Sequence, residues 1–243
     1  MQGALYLEDS YLRSCISTVT QVREGKYIIL DQTVFYPTGG GQPCDTGKLV
    51  RLSDGAVFKV VSVSKSPEGI IHEIELASTS LPPLDSGQQV QCSIDWERRY
   101  KLMRMHTAGH VLAAILYSEK GILITGNLLG IDKSRFDFSL QNFDRAEFES
   151  LVKKANEVIS RNLEVKVFYI SRQEASNYPG AVKLASALPP EIPTLRMVQI
   201  GDIDCQADGG THVKNTSEIG QIVFLGAENK GKNNRRIIFT VQP

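Results

Sequence analysis

Two histidines one helical turn apart can do metal chemistry in this sequence. His106 and His110 are four positions apart, and residues with this spacing lie on the same face of a helix. Two imidazoles on one face can bind a single ion, so the pair can supply half of a metal site. The spacing also occurs in ordinary helices, and by itself it is weak evidence for a metal.

A second stretch near the other end of the chain offers further metal ligands. Residues 204–212 contain a thiol, two carboxylates and a histidine, together with two glycines. Zinc accepts all three ligand types, and catalytic zinc sites commonly keep one position open for water. Three of the four histidines lie in these two stretches, and only His72 lies elsewhere. The alternative is a glycine turn in which Asp208 caps a following backbone amide.

The first histidine stretch is predicted to lie on a helix. Asp95 is a good N-cap, and Gly121 can end the helix. Apolar side chains recur between them at helical spacing, namely Trp96, Tyr100, Met103, Val111 and Ala114. Gly109 costs about 1 kcal/mol relative to alanine in a helix interior, so we expect another chain segment to approach the helix closely there.

The rest of residues 95–243 is predicted to form an α+β domain with an antiparallel sheet and helices on one face. Strands are predicted at 134–138, 165–170, 195–200, 221–225 and 236–241, and a short helix at 172–178. Asp144 and Glu147 form a predicted capping box. The helix that they start has a predicted buried stripe of Phe148, Leu151, Val152, Ala155, Val158 and Ile159. No regular βαβ rhythm supports a doubly wound sheet.

Residues 1–94 are predicted to form a small antiparallel β-barrel. Short alternating segments with turn residues between them predict strands at 12–22, 27–30, 47–52, 57–63, 70–76 and 90–94. The proline-containing stretch 81–87 is the predicted linker, and we place the domain boundary between residues 94 and 95. Within the barrel, Gly39, Gly40 and Gly41 predict either a loop that approaches a ligand closely or a sharp turn.

Composition limits the classes of function. The 243 residues are 42% hydrophobic, enough for two moderate cores. Lysine plus arginine balance aspartate plus glutamate at 27 each, so contact with a polyanion must come from local basic patches. Four cysteines without paired spacing and no N-terminal targeting pattern indicate a cytoplasmic protein. No apolar run approaches the roughly 18 residues of a membrane span.

Four segments together resemble the editing domain of alanyl-tRNA synthetase, and more closely the free-standing AlaX alanyl-tRNA editing proteins. They are residues 35–43, 96–99, 105–110 and 209–213, in the order of the family and across almost the whole chain. The chain has no room for an adenylate-forming domain as well. The resemblance implies an N-terminal barrel, a zinc-bearing α+β domain, and hydrolysis of serine, sometimes glycine, wrongly esterified to tRNA(Ala).

The same resemblance assigns metal ligands. The HxxxH motif of the family matches His106 and His110, and its CxxxH motif ends at His212. Four positions before His212 the chain has Asp208, and the nearest cysteine is Cys205. We predict a Zn²⁺ site of His106, His110, Asp208 and His212, with Cys205 as the alternative to Asp208 because thiolate is a common zinc ligand.

Zinc would polarise the ester or activate water, and amides of a glycine-rich loop can stabilise an oxyanion. We predict Thr38, Gly40 and Asn127 as catalytic residues, with Thr125 as a further candidate to bind the serine hydroxyl. Thr38 and the glycine loop are expected near the zinc, although they belong to the other domain.

The predicted partner is mischarged tRNA(Ala), and two basic clusters are candidates for contact with its phosphates. They are Arg98, Arg99, Lys101 and Arg104, and Lys230, Lys232, Arg235 and Arg236. Two alternative functions stay open, a zinc hydrolase of small esters or amides without RNA and a non-catalytic tRNA-binding module with structural zinc.

Overall fold

The structure of the protein, a computed structural model, describes residues 3–75, 82–140, 144–175 and 193–243. The chain divides into two compact units, Met1–Lys101 and Leu102–Pro243. The division falls inside a helix that starts at Trp96, whereas the predicted domain boundary lies just before that helix.

The first unit is a closed six-stranded antiparallel barrel with the strand order β1-β2-β5-β4-β3-β6. Its strands are β1 (Ser14–Arg23), β2 (Tyr27–Leu30), β3 (Gly47–Arg51), β4 (Val57–Ser66), β5 (Gly69–Ile74) and β6 (Gln89–Ile94). Closure leaves no free sheet edge. The predicted barrel is confirmed. Residue 76 of the predicted strand 70–76 and residue 81 of the predicted linker 81–87 lie outside the described residues.

Alternation along β4 explains how the barrel buries its core. Phe58 and Val60 are buried, whereas Val57, the residue before Phe58 on the same strand, is half exposed. A register shift between Val60 and Ser62 adds one residue opposite β5. The bulge reverses the alternation, so Val63 rather than Ser62 is buried.

A buried ion pair connects several segments of the first unit. Arg99 and Asp45 have fully buried side chains and contact each other through Arg99 Nη2 and Asp45 Oδ2. Arg99 also donates hydrogen bonds to the carbonyls of Ser10 (2.8 Å) and Val34 (2.6 Å). The Tyr36 amide donates to Asp45 Oδ2 at 2.6 Å. Both ions therefore have the partners that a buried charge requires.

The remaining helices and strands form an α+β unit with two separate antiparallel sheets. The elements are α1 (Trp96–Lys120), β7 (Ile124–Leu128), β8 (Ser134–Phe138), α2 (Arg145–Ile159), β9 (Val165–Ser171), α3 (Arg172–Ala175), β10 (Thr194–Ile200), β11 (Asp204–Ala207), β12 (Gln221–Asn229) and β13 (Arg235–Gln242). The sheet orders are β11-β10-β9 and β12-β13-β8-β7. The α+β class is confirmed, and the strands divide between two sheets where we expected one.

Two of these strands, β7 and β11, were not predicted. Both are short, and their central residues are mostly polar or glycine, which are weak signals for a strand. The predicted helix at 172–178 begins as α3, and residues 176–178 lie outside the described part of the chain.

Helix α1 has the predicted ends. Asp95 Oδ1 accepts a hydrogen bond from the Arg98 amide at 3.2 Å. Gly121 has φ +65°, and its amide donates to the Tyr117 carbonyl at 2.8 Å. This bond is that of the αL helix ending, and the Ile122 amide donates further back, to the Leu116 carbonyl at 3.3 Å. Among the described residues, no helix is sufficiently long and apolar to cross a membrane.

Gly109 in α1 is explained by a close contact. A Cβ at this position would lie 2.2 Å from Cζ of Phe136 on β8, so any larger residue would displace the ring. The expected close approach is confirmed, and it fixes α1 against the four-stranded sheet.

Asp144 is the N-cap of helix α2, and its Oδ1 accepts a hydrogen bond from the Glu147 amide at 2.8 Å. The Glu147 carboxylate pairs with Lys120 instead of completing the capping box. The predicted stripe is buried except at Val158, which is only half buried.

Candidate metal centre

Four side chains from the two predicted stretches converge in the second unit. His106 and His110 on α1 meet Asp208 and His212 from the loop after β11, and their ligand atoms all lie within 4.8 Å of one another. The histidine side chains are at most 8% exposed, whereas that of Asp208 is 20% exposed. The group therefore opens toward solvent at the carboxylate.

The loop after β11 is shaped by Asp208 itself. The Asp208 amide donates to the Arg196 carbonyl at 3.1 Å, and Arg196 Nη1 donates to the Asp208 carbonyl at 2.7 Å. Asp208 Oδ1 accepts from the Gly210 amide at 2.6 Å, which is the turn-capping role that we considered as an alternative. The same turn brings His212 Nε2 to 3.0 Å from Asp208 Oδ1, so capping and metal-ligand geometry occur together.

A buried carboxylate determines which nitrogen of His110 carries its proton. Asp204 Oδ2 lies 2.9 Å from His110 Nδ1 and can only accept, so Nδ1 donates. Gln206 Nε2 donates to the same oxygen at 2.8 Å and consequently lies close to the ring. His110 Nε2 then points toward Asp208 Oδ2, 3.7 Å away. A carboxylate behind a histidine is a common arrangement at metal sites.

The hydroxyl of Thr107 determines the role of Nδ1 of His212. Thr107 donates its hydroxyl proton to the Met103 carbonyl at 3.0 Å, so Thr107 Oγ1 can only accept from His212 Nδ1, which lies 3.2 Å away. The Val213 amide, 3.3 Å from Thr107 Oγ1, is a second donor to this oxygen. On the opposite side of the ring, His212 Nε2 lies 3.0 Å from Asp208 Oδ1.

The donor set fits a zinc ion. Nε2 of His106 lies 3.5 Å from Asp208 Oδ2, so three imidazole Nε2 atoms surround one carboxylate. His110 and His212 each have an acceptor at Nδ1 as well as Asp208 at Nε2, and a neutral imidazole has only one N–H to donate. A cation bound at Nε2 would meet this shortage of protons. Three imidazoles and one carboxylate are ligands that zinc accepts.

The pKa values of the histidines and of Asp208 are shifted by the contacts among these side chains. Burial lowers the pKa of His110, but hydrogen bonds to Asp204 and Asp208 outweigh this effect and raise the pKa to about 9. Burial and the charge of His106 hold the pKa of His212 well below its usual value. Burial raises the pKa of Asp208, but the surrounding histidines outweigh it and hold that pKa well below the usual range.

Cys205 lies outside this group. From β11 it pairs with Gln199 of β10, and it packs against the small cluster of Ile170, Leu195 and Met197. Its neighbours Asp204 and Gln206 are buried toward His110, because successive side chains of a strand point to opposite faces.

Asn127 lies on the face of the sheet that packs against α1. It is the direct partner of Phe136, whose ring contacts Gly109, so both side chains are on the same face. A register shift between Ile124 and Gly126 reverses the alternation, and without it Asn127 would face away. No hydrogen-bond partner of the Asn127 side chain occurs within residues 3–75, 82–140, 144–175 and 193–243. Thr125 is exposed and donates to Asn234 Oδ1 at 2.9 Å.

Thr38 and Gly40 belong to the first unit, in a tight turn. Gly39 and Gln42 exchange two backbone hydrogen bonds, and Gly40 and Gly41 between them have φ of +58° and +82°. Positive φ at both central residues is the requirement of a type I′ turn, so the turn itself explains these two glycines. Thr38 is exposed, and its Oγ1 accepts from the Cys44 amide at 3.2 Å. Proximity of this turn to the histidines stays a prediction.

Sequence reasoning missed Asp204, Gln206 and Thr107 as partners of the histidines. Asp204 and Thr107 lie in the two quoted stretches, so their presence was visible. Their roles depend on strand β11 and on the rotation of α1, which no local pattern predicted.

The predicted basic clusters are partly used inside the protein. Arg99 is buried against Asp45, which contradicts its prediction as a phosphate contact. Arg104 donates to the carbonyls of Ile219 and Gln242, and Arg236 pairs with Asp137 at 2.8 Å. Among the described residues, Lys101 and Lys232 of these clusters are exposed and have no ion-pair or hydrogen-bond partner, and the same is true of Lys133 and Arg135.

Two family models match this chain. The model of the threonyl and alanyl tRNA synthetase second additional domain matches residues 195–238, which include Asp208 and His212. The model of class II (A) tRNA synthetases matches residues 11–98, which include the barrel. Both units are therefore related to parts of tRNA synthetases.

Individual relatives agree with these matches. Alanyl-tRNA editing protein AlaX-M of Methanosarcina mazei is 49% identical over 99% of this chain and 97% of its own length. AlaX-M of Saccharolobus solfataricus is 44% identical over 100% of both chains. An alanine–tRNA ligase of Pyrobaculum calidifontis is 38% identical over 98% of this chain and 27% of the ligase. The chain belongs to the AlaX family of alanyl-tRNA editing proteins.

Proposed function

We propose that this protein is an aminoacyl-tRNA hydrolase that uses a zinc ion to remove serine, and also glycine, wrongly attached to tRNA(Ala). The observation that carries the proposal is the group of three histidines and Asp208 in a chain of the alanyl-tRNA editing family. Ester hydrolysis is the reaction that separates an amino acid from tRNA.

The need for such an enzyme follows from physical limits on recognition. A pocket shaped for alanine cannot strongly reject a side chain that only adds a hydroxyl, and it discriminates by about a hundredfold or less. A separate site that selects for the hydroxyl can remove the wrong product. Such a site needs a polar group aimed at the hydroxyl and a hydrolytic centre beside it.

The residues of the group have distinct roles in this proposal. His106, His110, Asp208 and His212 hold the zinc, which when bound supplies a Lewis acid for ester hydrolysis. Asp204 and Thr107 keep the rings of His110 and His212 oriented with Nε2 toward the centre. Asp208 is the most exposed ligand, so the ester approaches from its side.

Three further residues bind the substrate in this proposal. Asn127 offers an unpartnered amide, among the described residues, on the sheet face toward α1, and it would hydrogen-bond the serine hydroxyl. The Gly40 amide has no acceptor in the described part of the chain and can donate to an oxyanion. Thr38 would help to position the ester.

The proposed partner is the tRNA backbone. Lys133 and Arg135 are exposed cations at the start of β8, and they line a cavity of about 500 Å³ together with Lys230 and Arg236. Replacing Lys133 and Arg135 by alanine should weaken tRNA binding and reduce its salt dependence by about one counterion per lost contact.

Deacylation assays with Ser-tRNA(Ala), Gly-tRNA(Ala) and Ala-tRNA(Ala), together with elemental analysis, test the proposal. We expect about one zinc per chain, fastest hydrolysis of the serine ester and little hydrolysis of the alanine ester. A zinc-loaded protein that leaves all three esters intact would contradict it. Equal rates on small esters without tRNA would favour the small-ester hydrolase, and tRNA binding without hydrolysis would favour the binding module.

A further inference from the structure

Two of the four cysteines lie directly opposite each other in the barrel. Cys15 on β1 and Cys92 on β6 are paired residues of antiparallel strands, so their side chains project from the same face. Cys92 is fully buried, and Cys15 is partly exposed against the same core. Neither belongs to the candidate metal centre, which lies in the other unit.

A single hydroxyl contacts both sulfurs. The Cys92 thiol donates to Ser17 Oγ at 3.4 Å, and Cys15 Sγ lies 3.3 Å from the same oxygen. The Ser17 hydroxyl can therefore accept a hydrogen bond from the Cys92 thiol while it donates one to an ionised Cys15 sulfur. The two thiols and the hydroxyl form one connected group.

This group makes the two cysteines chemically different. Hydrogen bonds from Cys92, and then from Ser17 and the Val34 amide, lower the pKa of Cys15 although burial acts in the opposite direction. The hydrogen bond to Cys15 and burial raise the pKa of Cys92. A more acidic, partly exposed thiol beside a buried second thiol is the usual arrangement of an oxidisable pair.

The backbone register places Cys15 and Cys92 within reach of a strained disulfide. The Ile94 amide donates to the Arg13 carbonyl at 3.1 Å, so alternate pairs from there, including Cys15 and Cys92, are hydrogen-bonded pairs. Cα atoms of such pairs are about 5.5 Å apart, within the disulfide range. Their Cβ atoms are about 5.5 Å apart in such a pair, beyond the roughly 3.5–4.5 Å of a relaxed disulfide. The strands must therefore move closer for the bridge to form, and the strained bond would be easily reduced.

We infer that Cys15 and Cys92 are a site of reversible oxidation, at which a small disulfide such as oxidised glutathione converts them to a disulfide across β1 and β6. The Cys15 thiolate attacks one sulfur of oxidised glutathione and releases one glutathione thiolate. Cys92 then loses its proton and attacks the Cys15 sulfur, which releases the second glutathione thiolate. The two cysteines lose two electrons, and the glutathione disulfide gains them.

The disulfide would join the first and the last strand of the barrel. Strands β1 and β6 are neighbours only because the sheet closes on itself. A covalent bond at this seam restricts the unfolded chain and should raise the temperature at which the barrel unfolds. Reduction returns the protein to the dithiol form.

Thiol mapping of the full-length protein tests the inference. The native protein is treated with oxidised glutathione, denatured, alkylated, digested and analysed by mass spectrometry. We expect Cys15 and Cys92 to escape alkylation as one disulfide-linked peptide pair, and dithiothreitol to restore both. Cys44 and Cys205, which are also partly exposed, are internal controls. Full alkylation of Cys15 and Cys92 under conditions that modify Cys44 or Cys205 would overturn the inference.

Two variants test the order of the steps. Cys92→Ser should trap glutathione on Cys15, because no second thiol can displace it. Ser17→Ala should slow the reaction of Cys15 at neutral pH, because its thiolate loses a hydrogen bond. Trapping of glutathione at Cys44 instead of Cys15 in the Cys92→Ser variant would contradict the proposed order of steps. The site of trapping can be measured even if the variant is less stable.

Discussion

Two buried polar clusters in this protein differ in the groups that surround their carboxylates. In the first unit, Arg99 and Asp45 are fully buried, and backbone groups complete their contacts. In the second unit, three imidazole Nε2 atoms face the Asp208 carboxylate, and protein groups occupy the opposite sides of His110 and His212. The first cluster pairs a carboxylate with a guanidinium, whereas the second has the donor set of a metal site.

The difference teaches how to separate structural from functional polar clusters. Burial alone does not distinguish them, because both are buried. The distinction comes from the groups around each carboxylate, which are a guanidinium and a backbone amide at Asp45 and three imidazoles at Asp208. Changes to the histidine cluster around Asp208 should therefore affect metal binding and activity. Changes to the Arg99–Asp45 cluster should affect stability.

The largest expected effect is the loss of activity when an imidazole is removed. His110→Ala should lose bound zinc and reduce deacylation by at least a factor of about 1,000, or roughly 4 kcal/mol of transition-state stabilisation. Binding of tRNA should change much less, because the metal acts mainly on the transition state. Metal analysis, deacylation rates and tRNA binding check this. Equal losses of tRNA binding and of hydrolysis would contradict a catalytic role for the histidine cluster.

The next effect concerns the Arg99–Asp45 cluster. Arg99→Met leaves the Asp45 carboxylate buried without its ion partner and should lower the free energy of unfolding by about 3–5 kcal/mol. The double variant Arg99→Met, Asp45→Asn should lose less, because the unpaired charge is gone. Urea unfolding of both variants measures this. A double variant that is no more stable than the single one would contradict the explanation.

His72 extends the comparison to histidines. Its Nδ1 donates to the Ile28 carbonyl at 3.1 Å, and Nε2 accepts from Thr33 Oγ1 at 2.8 Å, so it is complete in its neutral form. Burial lowers its pKa from 6.5 to about 4. The unfolded chain binds the proton more readily, so this contribution is fully present above pH 6.5 and is lost as the pH falls to about 4.

We therefore expect acidification to cost the wild type about 3 kcal/mol more than a His72→Gln variant. Urea unfolding at neutral pH and near pH 4, with metal removed from both proteins, checks the difference. The same pH dependence in the two proteins would show that another group is responsible.

A smaller effect is expected at Asp204, which orients His110. Asp204→Asn keeps the shape of the side chain but removes the charge that holds the Nδ1 proton, and it should weaken zinc binding about 10- to 100-fold. Competition with a metal chelator measures the affinity. Asp202→Asn is a matched control, because Asp202 pairs with Arg161 on the surface. Equal effects of the two changes would contradict the role of Asp204.

The smallest effect is expected at Cys205. Cys205→Ser should leave zinc content and deacylation nearly unchanged, because its side chain packs on the other face of β11. Asp208→Ala should lose both. If the reverse is found, Cys205 is the ligand, and if both variants keep zinc, three histidines are sufficient to hold it.

Much of the fold could be predicted because its signals are local. The six barrel strands follow alternation and turn residues, and α1 begins and ends where Asp95 and Gly121 predict. Strands β7 and β11 could not be predicted, because polar residues in short strands resemble loops. The two register shifts in β4 and β7 were also invisible, because a bulge depends on the partner strand.

The sequence by itself determined the types and spacing of the histidines, the family and the glycine that admits Phe136. The tertiary structure decided which other groups join them. Asp204 and Cys205 are adjacent in the sequence, yet only Asp204 faces His110, because β11 alternates its side chains. Arg99 lies in a basic run, yet it is buried against Asp45. Composition and spacing describe a side chain's chemistry, whereas pairing and burial decide its partners.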